Sequence, residues 1–173
     1  MLTALAKLLK ALNSDASPSQ ISMAFVLGMI LGFTPLWSAH NIIVLLLALG
    51  LRINLTAFIL ASGTFAGIAY AIDPWFIQAG EYVLALPSMN ALWSQMYLSE
   101  AWRVTHFNHT LTMGSLVVSV AAALPFFFLS NYLVNQYRDK LFALVEKSKL
   151  VQMLKASKLY KVYQALDARG VSL

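Results

Sequence analysis

Between residues 21 and 135 the chain carries only five charged side chains, Arg52, Asp73, Glu81, Glu100 and Arg103. The stretches between them are long apolar runs. Across all 173 residues, 60% are apolar and 11% charged, against about 45–50% and about 25% in soluble domains. A soluble protein of this size has too much surface to hide so many apolar side chains. The composition argues against a soluble enzyme, a disordered chain and a coiled coil, and for an integral membrane protein. There is no Cys, so disulfides, thiolate metal sites and a cysteine nucleophile are ruled out.

The net charge of +5 is unevenly placed. Residues 136–173 hold Arg138, Lys140, Lys147, Lys149, Lys155, Lys158, Lys161 and Arg169 against Asp139, Glu146 and Asp167. Lys7 and Lys10 stand near the start. Basic residues flanking apolar spans fit the positive-inside rule and attraction to the anionic inner leaflet better than nucleic acid binding. Both termini are therefore expected in the cytoplasm, which requires an even number of crossings. Leu2, Leu5, Leu8, Leu9 and Leu12 recur at helical spacing, so residues 1–16 are expected to form an amphipathic helix on the membrane surface. Residues 17–135 form the membrane domain, and 136–173 a basic amphipathic cytoplasmic tail.

Ser17-Pro18-Ser19-Gln20 reads as an N-cap, a first-turn proline and a capping box. The apolar run 21–33 follows, Thr34-Pro35 interrupts it as a second cap-plus-proline start signal, and 42–51 is apolar again. Each piece is too short for a hydrocarbon core of about 30 Å, which needs about 20 helical residues. Two arrangements fit. One is a re-entrant hairpin with its tip near mid-membrane, and the other is a pair of tilted spans, giving four in all. The hairpin is preferred because its tip, Leu36 and Trp37 included, is mostly apolar and aromatic.

Residues 54–72 read as a long span with a stripe of small residues, including the GxxxG pair Gly63 and Gly67. Gly28 and Gly32 form a second such pair. This spacing lets backbones approach closely, and packing within one chain is preferred over dimerisation. Asp73-Pro74 reads as the cap and first residue of a separate short helix ending at Pro87. Residues 88–109, with Trp93, Tyr97 and Trp102, read as an interfacial belt on the outer face. A last span runs from 110 to about 134, kinked at Pro125. The fold class is thus all-α: a broken or re-entrant helical hairpin plus two long transmembrane helices (or four spans), with amphipathic helices at both termini.

Gly28-xxx-Gly32, Pro35, Leu51-Arg52-x-Asn54, Gly63-Thr64 and Asp73-Pro74 together resemble the bacterial membrane proteins called domain of unknown function 2062. Ser38 stands near an expected glycine, and Asp73 where Asn is commoner. The resemblance implies a bacterial inner-membrane protein without an assigned activity. It further implies a larger envelope protein encoded nearby, and hence one subunit of a two-part system.

Residues for catalysis are sparse. There is no nucleophile elbow, P-loop, HExxH or GxGxxG. No enzyme activity, cofactor or metal is expected. His106 and His109 are three apart but lack a third ligand, and read as an interfacial polar pair. His40 and Asn41 lie at the break, where His40 either bonds frayed backbone or serves a head group or a proton. Arg52 reads as an interfacial cation within reach of a lipid phosphate. The candidate motif is Gly28, Gly32, Pro35, His40, Asn41, Arg52, Asn54, Gly63, Asp73 and Pro74. The expected function is a non-enzymatic subunit that supports the envelope partner, with lipid handling as a possible setting. The alternative is a small transporter or ion-coupled carrier with its site at residues 32–41.

Overall fold

A computed structural model describes residues 14–138 together with Lys7, Ala11 and Leu12. The reading of residues 1–16 as one amphipathic helix and of 136–173 as a basic tail falls largely outside these residues. Among the described residues the secondary structure is helical throughout: α1 (Pro18–Phe33), α2 (Ala39–Gly50), α3 (Leu55–Leu84), α4 (Asn90–Leu98), α5 (Glu100–Val104) and α6 (Thr110–Gln136). A 3-10 turn, Pro87–Met89, joins α3 to α4.

The start of α1 follows from its sequence. Ser17 N donates to Gln20 Oε1 at 2.7 Å, and Gln20 N donates back to Ser17 Oγ at 3.3 Å. With Pro18 in the first turn, this is the capping box the spacing predicts. Thr34, which ends α1, is extended at φ −92° and ψ 150°. The ring of the following Pro35 disfavours helical backbone there. Thr34-Pro35 therefore stops a helix and does not start one. The next helix begins at Ala39, after Ser38.

α1, α3 and α6 pack together as the central bundle. Ile21, Ala24 and Leu27 of α1 share a core with Ala57 and Phe58 of α3 and Val134 of α6. Val44 and Ala48 of α2 join the same core, so α2 folds back along α1. The reversal returns the chain to its starting end, where Asn54 Nδ2 donates to Ser14 Oγ at 3.0 Å. Arg138, just past α6, arrives there too. Its Nε donates to Leu12 O at 3.0 Å, and its Nη2 to Ser14 O and Ala16 O at 2.8 Å each.

α3 and α6 are the two helices long and apolar enough to cross a membrane. Thirty residues make α3 about 45 Å long at about 1.5 Å per residue. Phe65 meets Phe126 edge-on with ring centroids 5.4 Å apart, while Gly80 lies against Thr110 and Gly114 against Phe76. The two helices are therefore antiparallel.

The structure corrects one reading here. Asp73 and Pro74 do not begin a helix, because α3 runs unbroken through both. Pro74 removes one backbone donor, but Ala69, Phe76 and Gly80 on either side are buried. Packing above and below the proline holds the helix together, and so the segment after it is the upper part of α3.

Candidate functional site

The first GxxxG pair sets how α1 sits. A Cβ built on Gly28 falls 2.6 Å from Ala61 Cβ and 2.8 Å from Phe58 O. One built on Gly32 falls 2.6 Å from Ser62 O and 2.8 Å from Phe65 Cβ. No side chain fits at either position, so α1 rests directly on the α3 backbone. Just above, the Phe33 ring meets Phe65 at 5.1 Å and Phe76 at 5.2 Å between centroids. The hairpin thus ends near the midpoint of α3.

The turn of the hairpin is closed by Asn41. Its Nδ2 donates to Pro35 O at 2.9 Å and to Leu36 O at 3.3 Å. Its Oδ1 accepts from Thr34 Oγ1 at 2.9 Å. Thr34 Oγ1 also lies 2.8 Å from Ile30 O, so one hydroxyl proton is shared between two acceptors. Asn41, Thr34 and Ser38 are all buried. One amide thereby satisfies carbonyls that a broken helix leaves open, while Leu36 and Trp37 at the tip of the turn are exposed. Beside it, His40 Nε2 is buried without a hydrogen-bond partner.

The candidate residues divide accordingly. Gly28, Gly32, Pro35 and Asn41 form the hairpin and its seat, and His40 adjoins them. Asn54 belongs to the opposite end of the hairpin. Its Oδ1 caps α3 by accepting from Ala57 N at 2.9 Å, while its amide holds Ser14. Arg52 is exposed, with no ion pair among the described residues. Gly63 meets nothing within 4 Å of a built Cβ, and neither does Gly67. The expected packing of the Gly63–Gly67 pair within the chain is therefore wrong: that edge of α3 faces outward, and Ala61, Ser62, Phe65 and Ala66 meet the hairpin instead. Asp73 is half-buried, has no ion pair among the described residues and does not cap a helix. Pro74 is exposed within α3.

Sequence reasoning missed three features. A Cβ on Gly80 would overlap the Thr110 carbonyl, and one on Gly114 the Phe76 carbonyl, so α3 and α6 cross backbone to backbone in their upper parts. Ser115 and Ser119 are fully buried one turn apart on α6. That spacing was the available signal. Thr34 was read only as a cap. The Arg138 clamp joins positions more than 120 residues apart, which no local pattern reveals.

The same sequence region matches known proteins. The profile of a family described as an uncharacterized protein conserved in bacteria (DUF2062) matches residues 3–141. The chain belongs to this family. A relative, an uncharacterized protein of Treponema pallidum (strain Nichols), is 22% identical over 161 residues, covering 93% of this chain and 99% of the relative. No solved structure matches the chain. The family match encloses the hairpin, both long helices and Arg138, so the clamp lies within the family's own unit.

Proposed function

We propose that the chain is a multi-pass protein of the bacterial inner membrane that acts as a non-enzymatic scaffold. It supports a larger envelope partner in a lipid-handling setting. α3 and α6 cross the bilayer, α1 and α2 re-enter from the cytoplasmic side, and both termini are cytoplasmic. The observation that carries this reading is α2. Ile42, Ile43, Leu46 and Leu49 are each at least 60% exposed, and from Ile42 to Gly50 the helix has no polar residue. A helix apolar all round and left uncovered belongs among lipid chains or against a membrane partner. The polar groups of the turn support a scaffold over a substrate site, since Thr34 and Asn41 are engaged in closing it.

The test is affinity purification of the native protein from detergent-solubilised bacterial membranes. The expected result is one larger envelope protein recovered in stoichiometric amount, and lost on Leu46→Arg while the yield of folded protein holds. Recovery of the chain alone, with solute uptake by liposomes containing only this protein, would replace the scaffold with a carrier. The unpartnered His40 Nε2, together with Asp73, which has no ion pair among the described residues, favours that second reading.

A further inference from the structure

With α3 spanning the bilayer, Asp73 places a carboxylate inside the span. It stands about 27 Å along a helix of about 45 Å, at about 1.5 Å per residue. A hydrocarbon core of about 30 Å, centred on α3, encloses it, while Glu81, about 39 Å along, reaches the outer edge. Asp73 is half-buried, and its carboxylate makes no ion pair or hydrogen bond among the described residues. Charged groups at such a depth face protein or water and are paired.

The surface beside it suits a helix. Gly63, Gly67, Tyr70, Pro74, Ile77 and Glu81 recur at alternating steps of four and three, which sets them along one line of α3. All six are exposed, Tyr70 by 85%. A Cβ built on Gly63 or Gly67 meets nothing within 4 Å, so the lower part of the line lies open to side chains of a neighbour. Asp73 borders the line between Tyr70 and Ile77, three and four residues away.

Charge decides what covers this face. Acyl chains would leave the Asp73 carboxylate unpaired in hydrocarbon. A second copy, related by a two-fold axis along the membrane normal, would bring Glu81 onto Glu81 and Asp73 close to Asp73. Like charges repel strongly at low dielectric. Between residues 21 and 135 the cations are Arg52 and Arg103. Arg52 precedes α3 at its far end, and Arg103 lies 3.6 Å from Glu100. The counter-charge for Asp73 must therefore come from another chain.

We propose that this face of α3 docks a transmembrane helix of another protein, one that carries a Lys or Arg in the outer half of the bilayer. Side chains of that helix fill the line over Gly63 and Gly67, and its cation pairs with Asp73. This rests on the partner reading above and names the partner's chemistry. Within it, Asp73 has a role that needs no transport.

In the test, p-benzoylphenylalanine replaces Tyr70 in the full-length protein, which is photolysed in intact bacterial membranes, and the adduct is sequenced. The expected adduct is an apolar segment of another protein with a Lys or Arg in it. Asp73→Asn should lower its amount about 3- to 20-fold, the worth of one polar contact between helices in lipid, and Asp73→Glu should keep most of it. Gly67→Leu should lower it by filling the line. The melting temperature of the chain alone in detergent should not change with any of these. Asp73→Lys should abolish the adduct, and exchange of the partner's basic residue for Asp should restore it. An adduct with a second copy or with lipid alone would overturn the proposal. So would a crosslinked segment without a basic residue, or an adduct indifferent to Asp73→Asn. Affinity purification separates the two levels: recovery of the chain alone refutes the partner reading, whereas a partner recovered equally with Asp73→Asn and absent from the Tyr70 adduct refutes only this contact.

Discussion

Two pairs of glycines with the same spacing do opposite things in this molecule. Gly28 and Gly32 leave no room for a methyl group, because the backbone and Cβ atoms of α3 fill that space. Gly63 and Gly67, on the helix they pack against, face open space. A GxxxG pair marks a place where a helix can be approached closely. Whether anything approaches is decided by the helix on the other side. α1 meets α3 along Phe58, Ala61, Ser62 and Phe65, and that line excludes Gly63 and Gly67.

The contrast is open to direct test. Gly32→Leu should have the largest effect. Its side chain must displace the α3 backbone, a cost at or above the roughly 1–3 kcal/mol of core overpacking. The yield of folded protein in detergent and the melting temperature should both collapse. Gly63→Leu should stay within about 0.5 kcal/mol of the parent. Equal losses from the two variants would mean that the open edge of α3 is covered in the membrane, by a second copy or a partner.

Asn41→Leu comes next. It keeps the volume but leaves Pro35 O and Leu36 O without their amide donor in a part-buried turn. A fully buried unmet group costs about 1–3 kcal/mol, and these cost less, so the melting temperature should fall, though less than for Gly32→Leu. Pro35→Ala should do less, because Asn41 still bonds the carbonyls at positions 35 and 36. If Pro35→Ala proves the more damaging, the proline and not the amide holds the break open.

Arg138→Gln should have an intermediate to small effect. Three hydrogen bonds from a charged guanidinium are lost, each worth about 1.5–3 kcal/mol at most, but the site is only part-buried and water replaces some of them. The expected sign is faster proteolysis within residues 1–16 at an unchanged bundle melting temperature. An unchanged cleavage rate would show that the clamp does not secure the N-terminal segment.

These cases also explain what could be read in advance. The capping box at Ser17 and the break at Thr34-Pro35 were legible because their causes lie within four residues. Asp73-Pro74 carries the same local signal and means the reverse. There the buried Ala69, Phe76 and Gly80 hold the helix on both sides of the proline, and only the tertiary packing supplies that. Asn41 was singled out for its place at the break, but its bonds to Thr34, Pro35 and Leu36 depend on how the turn closes. The Gly80–Gly114 crossing depends on the antiparallel register of α3 and α6. The end-on cluster of Ser14, Asn54 and Arg138 needs the whole chain to be folded.

The hairpin is the centre of the account, and single cysteines report on it directly because the chain has none of its own. Arg52→Cys, Leu36→Cys and Met89→Cys place a thiol at the return of the hairpin, at its turn and beyond the end of α3. In sealed membranes of known orientation, an impermeant maleimide should label Cys-substituted position 52 only from the cytoplasmic side and position 89 only from the opposite side. Position 36 should stay unlabelled from both. Labelling of position 36 from the outside as fast as position 89 would mean that α1 and α2 cross the membrane fully, and that the hairpin does not turn back within it.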